Sequence, residues 1–532
     1  MASLVLPSAK LFEESVARWW RPALLIASLV LGTLARLTHG DGMPLWFDET
    51  FTGVIAGQPS GAGLWHWLRT ELTGPFFYGT YWLWARVAGV STEALRLPGM
   101  IFTLAAPLIV LRWGHRDATM RLLWATVLLL WLPMAVFAQD ARPYALLILL
   151  GTLQAAGFCS LMREPTRAAA LRWVLPTLAI GLTHYFALVS GLVQGLVLLA
   201  VHRRAAARLW PAALPFALLV GWMALHLSFV TRIAGGGMAM STSMAISDLS
   251  RLPVLIVGDG PFALLLALPL GWMLVERARD WRDAPAWRPS PEAWTGLSGV
   301  AAFLLLFAVA CVVPGIAMRY FLPTLPAAIF GLAWCLRGGV VRGSVAVPAF
   351  FLAANIACLG LAASGVGDRS LDQRHAFGMD LPSRWLMERP PERLIFFWAD
   401  PTAVLSTGLD ANVAEVGGFF LHRAGSKAPV ELARVPVGAD AAALVGARAL
   451  AKPDTAILWV GNAPSADPRR RPAPLFRDPR WECRDFGAGL ALSVACRPRP
   501  ASPTPATGPM RTSLDTLGVP GDGARTKGMT GT

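Results

Sequence analysis

The sequence predicts a mainly α fold: a polytopic transmembrane helical bundle of about eleven spans, a long first outer loop and a small C-terminal α/β extracytoplasmic domain. Three observations carry this. Apolar residues make up 55% of the 532-residue chain and charged residues only 15%, which places it with integral membrane proteins. Apolar runs long enough to cross ~30 Å of hydrocarbon recur along the first two thirds of the chain. Between these runs, loops rich and poor in arginine alternate.

The runs cover 22–38, 95–113, 122–138, 144–162, 171–183, 185–201, 210–230, 252–275, 295–316, 320–336 and 344–363. Lys10 and Arg18 precede the first run and no small-residue cleavage site follows it, so it reads as a retained span. The formal charge of +14 would suggest nucleic acid in a soluble protein. Here the basic residues cluster between apolar runs, where they act as topological anchors and partners of membrane lipid headgroups, so no nucleic acid is expected.

Lysine and arginine set orientation. Arg112, Arg116 and Arg121 share one loop; Arg163, Arg167 and Arg172 a second; Arg203, Arg204 and Arg208 a third. Arg277, Arg279, Arg282 and Arg288 form the fourth, and Arg337 with Arg342 the fifth. With these loops in the cytoplasm, the N-terminus lies inside a plasma membrane and the chain after 363 outside. The same parity settles 75–90, an aromatic run that would invert every later span if it crossed. It reads as a helix lying in the outer interface, with Tyr78, Tyr81, Trp82 and Trp84 at headgroup depth. The transmembrane domain is then 1–363, with 39–94 its long outer loop.

That arrangement puts Asp48, Glu49, Asp140, Arg142, His184, Tyr185, Arg319 and Tyr320 together at the outer membrane face. Ionisable groups at such depth are functional candidates by default, although span ends carry polar residues anyway and Arg319 could simply snorkel.

After 364 the composition shifts. Apolar runs at 394–399 and 456–461 have strand length, 481–486 and 490–495 suit a hairpin around Gly487 and Gly489, and 403–409 and 441–450 suit helices. The extracytoplasmic α/β domain is therefore 364–500, either a cap or acceptor-docking module or a purely structural one. Cys159, Cys311, Cys335 and Cys358 lie in apolar runs as packing residues, whereas Cys483 and Cys496 flank the hairpin and either pair or do not. Residues 501–532 have the Pro, Thr, Gly and Ser content of a disordered tail.

The order of short motifs is distinctive: Phe47-Asp48-Glu49-Thr50, then Ala94-Leu95-Arg96-Leu97-Pro98, Ala138-Gln139-Asp140-Ala141-Arg142-Pro143-Tyr144, Thr183-His184-Tyr185-Phe186 and Arg319-Tyr320-Phe321-Leu322-Pro323. This resembles the C-type superfamily of membrane glycosyltransferases. The branch it looks most like holds protein O-mannosyltransferases, lipid A aminoarabinose transferases and related lipopolysaccharide sugar transferases. The resemblance implies transfer of a sugar from a polyprenyl-phosphate donor to an extracytoplasmic acceptor (protein, lipid or glycan), with inversion. It makes Asp48 the general base, with Glu49 beside it discouraging both from being fully ionised at once and so helping to raise one pKa of the pair, and Asp140 a second acid near it. Arg319 and then Arg142 would grip the leaving phosphate. His184, with Tyr185 and Tyr320 beside it, would touch phosphate or sugar, or His184 would be a structural histidine. Some relatives hold a divalent metal on outer-face carboxylates, a role open to Asp48 and Asp140. One departure stands out: Thr73-Gly74-Pro75 occupies the place where relatives commonly carry His-Pro-Pro. The alternatives are a polytopic transporter or flippase, for which no internal repeat is visible, and a non-catalytic envelope assembly protein.

Overall fold

The structure is a computed structural model. It describes residues 7–38, 44–235, 243–251, 254–257, 261–282, 289–313, 316–364, 378–399, 410–436, 438–462, 468–487 and 491–500. The expected tail at 501–532 and helix at 403–409 lie outside them.

A bundle of apolar helices fills the first part of the chain. Six described helices are long and apolar enough to cross a membrane: Thr92–Gly114, Tyr144–Arg163, Tyr185–His202, Pro291–Val312, Met318–Arg342 and Ala346–Ala363. Pro22–Thr38, Phe216–Thr231 and Leu264–Glu276 are shorter apolar helices. Arg167–Gly181, with Pro176 inside it, matches the short run expected at 171–183. Tyr144–Arg163 is the most enclosed, packed by Thr92–Ile109, Arg167–Gly181, Pro291–Val312 and Leu325–Arg342. At 1.5 Å per residue its 20 residues span about 30 Å, so Tyr144 and Arg163 mark opposite faces of the bundle.

The run at 122–138, expected as one span, is two helices. Ala118–Leu130 and Leu132–Gln139 meet at 57°. Trp131 is extended between them, and Pro133 starts the second helix, where its missing N–H costs nothing. The break strips the last carbonyls of the first helix of their partners. Arg36, fully buried, supplies them: its guanidinium donates to Leu128 O at 3.2 Å and Leu129 O at 2.9 Å, and to Gly32 O at 2.6 Å. Gln139 returns two bonds to Arg36 O and Leu37 O. A cation inside the bundle is thus explained by carbonyls that the bend would otherwise leave bare.

Three helices, Phe47–Ala56, Gly61–Leu68 and Pro75–Ala88, lie between the first apolar helix and Thr92–Ile109. The last keeps an exposed apolar edge at Leu83 and Val87, one turn apart. Tyr78 and Tyr81 correct the sequence reading: they are wholly buried in the protein core, not at headgroup depth. Their side of the helix faces Phe47–Ala56 rather than lipid. Trp82 and Trp84 donate to Gln58 O and Ala94 O, tying the helix to its neighbours in the chain.

The C-terminal unit is an α/β layer with a five-stranded sheet. Its strands are β1 (Arg393–Trp398), β2 (Val430–Leu432), β3 (Thr455–Asn462), β4 (Trp481–Asp485) and β5 (Ala491–Pro498), in the order β2-β1-β3-β5-β4. β2, β1 and β3 run parallel and the β5–β4 edge antiparallel. Cys483 sits opposite Cys496 in the last pair, and the two form a disulfide. Side chains of β1 alternate in the strand period. Ile395 and Phe397 face the Ala441–Leu450 helix, while Leu394, Phe396 and Trp398 join the core that holds Phe47, Phe51 and Phe77. That second core is continuous: Phe47 lies against Trp398 with ring centroids 4.1 Å apart. Phe419, on the Asp410–Arg423 helix, approaches Gly53 so closely that a Cβ there would fall 2.5 Å from the ring. The α/β unit is therefore seated on the helix that carries Asp48.

Candidate active site

Asp48 and Glu49 occupy the first turn of the Phe47–Ala56 helix, at the positive end of its dipole. Their surroundings are quite different. Glu49 is fully buried and both its oxygens are committed. Oε1 accepts from Arg96 Nε at 3.0 Å and Ala141 N at 2.8 Å. Oε2 accepts from Arg96 Nη2 at 2.7 Å and Trp46 N at 3.1 Å. The last bond is the reach-back half of a capping box. Glu49 thereby ties the Phe47–Ala56 helix to the Thr92–Ile109 helix and to the 140–142 turn.

Asp48 turns the other way. Its Oδ2 accepts from Arg319 Nη2 at 3.2 Å, and both side chains remain partly exposed, 26% and 36%. Arg319 is aimed by Tyr144, whose hydroxyl accepts from Nε at 2.8 Å. The guanidinium lies beside the rings of Trp46 and Tyr320. Arg142 donates from Nη1 to Asp48 O at 3.1 Å and reaches Tyr78 Oη at 3.5 Å, while its Nε is buried with no hydrogen-bond partner among the described residues. Asp140 is buried, and its Oδ1 accepts from Trp46 Nε1 at 3.3 Å. His184 lies over Tyr320, ring centroids 4.7 Å apart, with Phe186 behind. Burial, reinforced by Arg142 and Arg319, holds the His184 imidazole down to about 3, so it is neutral at physiological pH.

The structure thus places Asp48, Arg142, Arg319, His184 and Tyr320 in one polar cluster, with Glu49 and Asp140 behind it. Tyr185 does not share it: its hydroxyl meets His226 Nδ1 at 2.6 Å in the neighbouring Trp222–His226–Phe229 aromatic stack.

Sequence reasoning missed three members. Tyr144 aims Arg319, Tyr78 receives Arg142, and Glu71 lies within electrostatic reach of Arg142 and Asp48. Burial pushes the Glu71 carboxyl above its usual range, against the pull of Arg142 and the Thr73 N–H. The departure at Thr73-Gly74-Pro75 has a steric reason. Gly74 N and Phe76 N donate to Thr183 O and Leu182 O, and a Cβ on Gly74 would fall 2.1 Å from Leu182 O. Only glycine lets this segment lie against the turn that presents His184.

Of the carboxylate oxygens open to a divalent ion in the sequence reading, Asp48 Oδ2 faces the Arg319 guanidinium and Asp140 Oδ1 the Trp46 indole N–H. Among the described residues one group has metal-ligand spacing, His115, Cys159 and Glu292. Arg163 fills it, donating to Glu292 at 2.6 Å and lying 2.8 Å from His115 Nε2, so it is an ion-pair cluster.

No family model and no curated protein matches the sequence. Among solved structures, ArnT from Cupriavidus metallidurans in the apo state superposes with a TM-score of 0.55 at 14% identity, over 90% of this chain and 98% of that one. ArnT bound to undecaprenyl phosphate gives 0.54 over the same shares, again at 14% identity. The archaeal oligosaccharyltransferase AglB from Archaeoglobus fulgidus, in complex with an inhibitory peptide and a dolichol-phosphate, gives 0.45 at 12% identity, over 84% of this chain and 70% of that one.

Proposed function

The chain shares the fold of the C-type membrane glycosyltransferases, and on that premise we propose that it moves a sugar from a polyprenyl-phosphate carrier to an extracytoplasmic acceptor. The observation that carries this is the Asp48–Arg319 pair, a carboxylate and a guanidinium 3.2 Å apart, both open to solvent at one end of the spans. That the same fold holds undecaprenyl phosphate in ArnT supports a lipid-phosphate donor.

The division of labour follows from the chemistry. An acceptor hydroxyl attacks the anomeric carbon and its proton passes to Asp48. The bond from that carbon to the phosphate oxygen breaks, and its electron pair leaves with the lipid phosphate. Arg319, with Arg142 second, meets the added charge through fixed N–H forks. Since Arg319 holds Asp48 in the resting protein, an arriving phosphate competes for the guanidinium and releases the carboxylate for the acceptor. Donor therefore binds first. His184 and Tyr320 form a wall of rings for the sugar, and Glu49 and Asp140 position Trp46 and the Asp48 helix. Attack from the face opposite the phosphate gives inversion.

The Asp48 end is extracytoplasmic in this reading, supported by the arginine-rich loops at the other end and by a disulfide in the unit seated above Asp48. Incubating the purified protein with a polyprenyl-phosphate sugar and candidate envelope acceptors tests the proposal. Glycosylated acceptor of inverted anomeric configuration is expected; a retained configuration overturns direct attack, and no transfer from any donor overturns the enzyme reading.

A further inference from the structure

A cavity of about 260 Å³ opens between the Gly61–Leu68 helix and the Phe216–Gly235 helix. Trp65, His66 and Arg69 line one side of it, Ser228 and Phe229 the other. Both sides adjoin the Asp48 cluster. Thr70 also lines the cavity, and the next residue, Glu71, lies within electrostatic reach of Asp48 and Arg142. Phe229 stacks on His226, whose Nδ1 meets the hydroxyl of Tyr185, the neighbour of His184. The lining holds one guanidinium and no carboxylate. Arg69 is exposed and its side chain has no partner among the described residues. Trp65 is 46% exposed, with Trp222 packed against it at 70°. A hydrogen-bond chain fixes the His66 ring. Thr70 Oγ1 donates to His66 O or Trp67 O, so it accepts from Asn412 Nδ2 at 3.0 Å. The Asn412 oxygen therefore faces His66 Nε2 at 3.2 Å, and that nitrogen carries the proton. In the neutral ring Nδ1 is left as an acceptor with no partner among the described residues, and the Ser228 hydroxyl is likewise unused there.

We propose that this cavity holds one acidic sugar unit, bearing a carboxylate or a phosphate, and that, resting on the sugar-transfer reading above, this unit belongs to the acceptor. A sugar ring presents a face of C–H bonds to the Trp65 indole, whose own face is the negative side of its quadrupole. The sugar hydroxyls both donate and accept, which suits His66 Nδ1 and Ser228, and the acid group meets the Arg69 fork. A phospholipid phosphodiester would use Arg69 but brings no ring face for the indole. The volume falls below the ~300–1,000 Å³ that encloses a whole drug-sized ligand, so it suits a single sugar unit of a longer glycan.

The test titrates the full-length protein in neutral detergent with glucuronate, glucose 6-phosphate or glucose, read by saturation transfer to the sugar-ring protons, with phosphatidylglycerol as competitor. At least one acidic sugar should bind about tenfold more tightly than glucose, and which one does identifies the acid group the site takes. Arg69→Gln should bring the acidic sugars down to the level of glucose. Arg69→Lys, which keeps the charge and loses the fork, should recover part of the difference and controls for misfolding. Trp65→Ala should weaken every sugar about tenfold. Equal binding of glucose and both acidic sugars, undiminished binding by Arg69→Gln, or displacement of the sugars by phosphatidylglycerol would each overturn the proposal. In transfer assays Arg69→Gln should raise the KM for an acidic acceptor about tenfold and leave kcat and donor binding unchanged. Acidic-sugar binding by a parent protein that transfers no sugar would overturn the acceptor role together with the sugar-transfer reading, and would leave the sugar site standing.

Discussion

Arg319 Nη2 reaches Asp48 Oδ2 at 3.2 Å across 271 positions of sequence. The contact joins the Phe47–Ala56 helix to the entry of the Met318–Arg342 helix and leaves both groups within reach of solvent. If Arg319 receives the donor phosphate, Arg319→Ala should lower donor affinity about 10–100-fold, the worth of a charge-assisted hydrogen bond to an ion. Arg319→Lys should recover part of this, because the charge stays but the fork is lost. Donor titration of the purified variants measures it.

Glu49 predicts a different phenotype from its neighbour. Removing one member of a buried ion pair strands the other, at about 3–5 kcal/mol. Glu49→Gln and Arg96→Met should therefore each lower the thermal unfolding midpoint sharply, whereas Asp48→Asn should leave it nearly unchanged. Equal midpoints for the Asp48 and Glu49 variants would contradict the division between them.

His184 gives a pH dependence with a defined sign. Its folded-state value, about 3, lies below the usual 6.5, so the unfolded chain binds more protons between these values. The stability associated with the neutral ring is complete above pH 6.5 and is lost as pH falls toward 3. His184→Gln should flatten this acid limb, read as unfolding midpoint against pH, without a new limb between pH 7 and 8.

The Cys483–Cys496 bridge closes a short loop between adjacent strands. Opening a loop of this length costs about 2–3 kcal/mol. A Cys483→Ser, Cys496→Ser variant should unfold at lower temperature than the oxidised protein, and reductant should then have no further effect on it.

Much of this site was legible in the sequence because loop parity places polar residues on one side of a membrane. Asp48, Asp140, Arg142, His184 and Arg319 were found that way. Parity says nothing of rotation about a helix axis, which is why Tyr185 was grouped with them although it faces His226, and why Tyr144 was passed over although it aims Arg319. Glu71 sits in an unpatterned Thr70-Glu71-Leu72-Thr73 stretch, and only the fold brings it to Arg142. The bend at Trp131 was hidden because both halves of the run are apolar; Pro133 and the buried Arg36 are its sequence traces. In the α/β unit the longer strands and the hairpin stood out by composition. The three-residue β2 was too short to show periodicity, and the Asp410–Arg423 helix carries Gly417 and Gly418, poor helix formers whose small size admits Phe396 and Val430.

The most direct measurement compares parent and Asp48→Asn protein for donor binding and sugar transfer in the same preparation. A base at Asp48 requires transfer to fall by about 10²–10⁴-fold while the polyprenyl-phosphate sugar still binds at least as tightly, since Arg319 no longer has a competing carboxylate. Undiminished transfer by Asp48→Asn, or loss of donor binding in step with transfer, would contradict it.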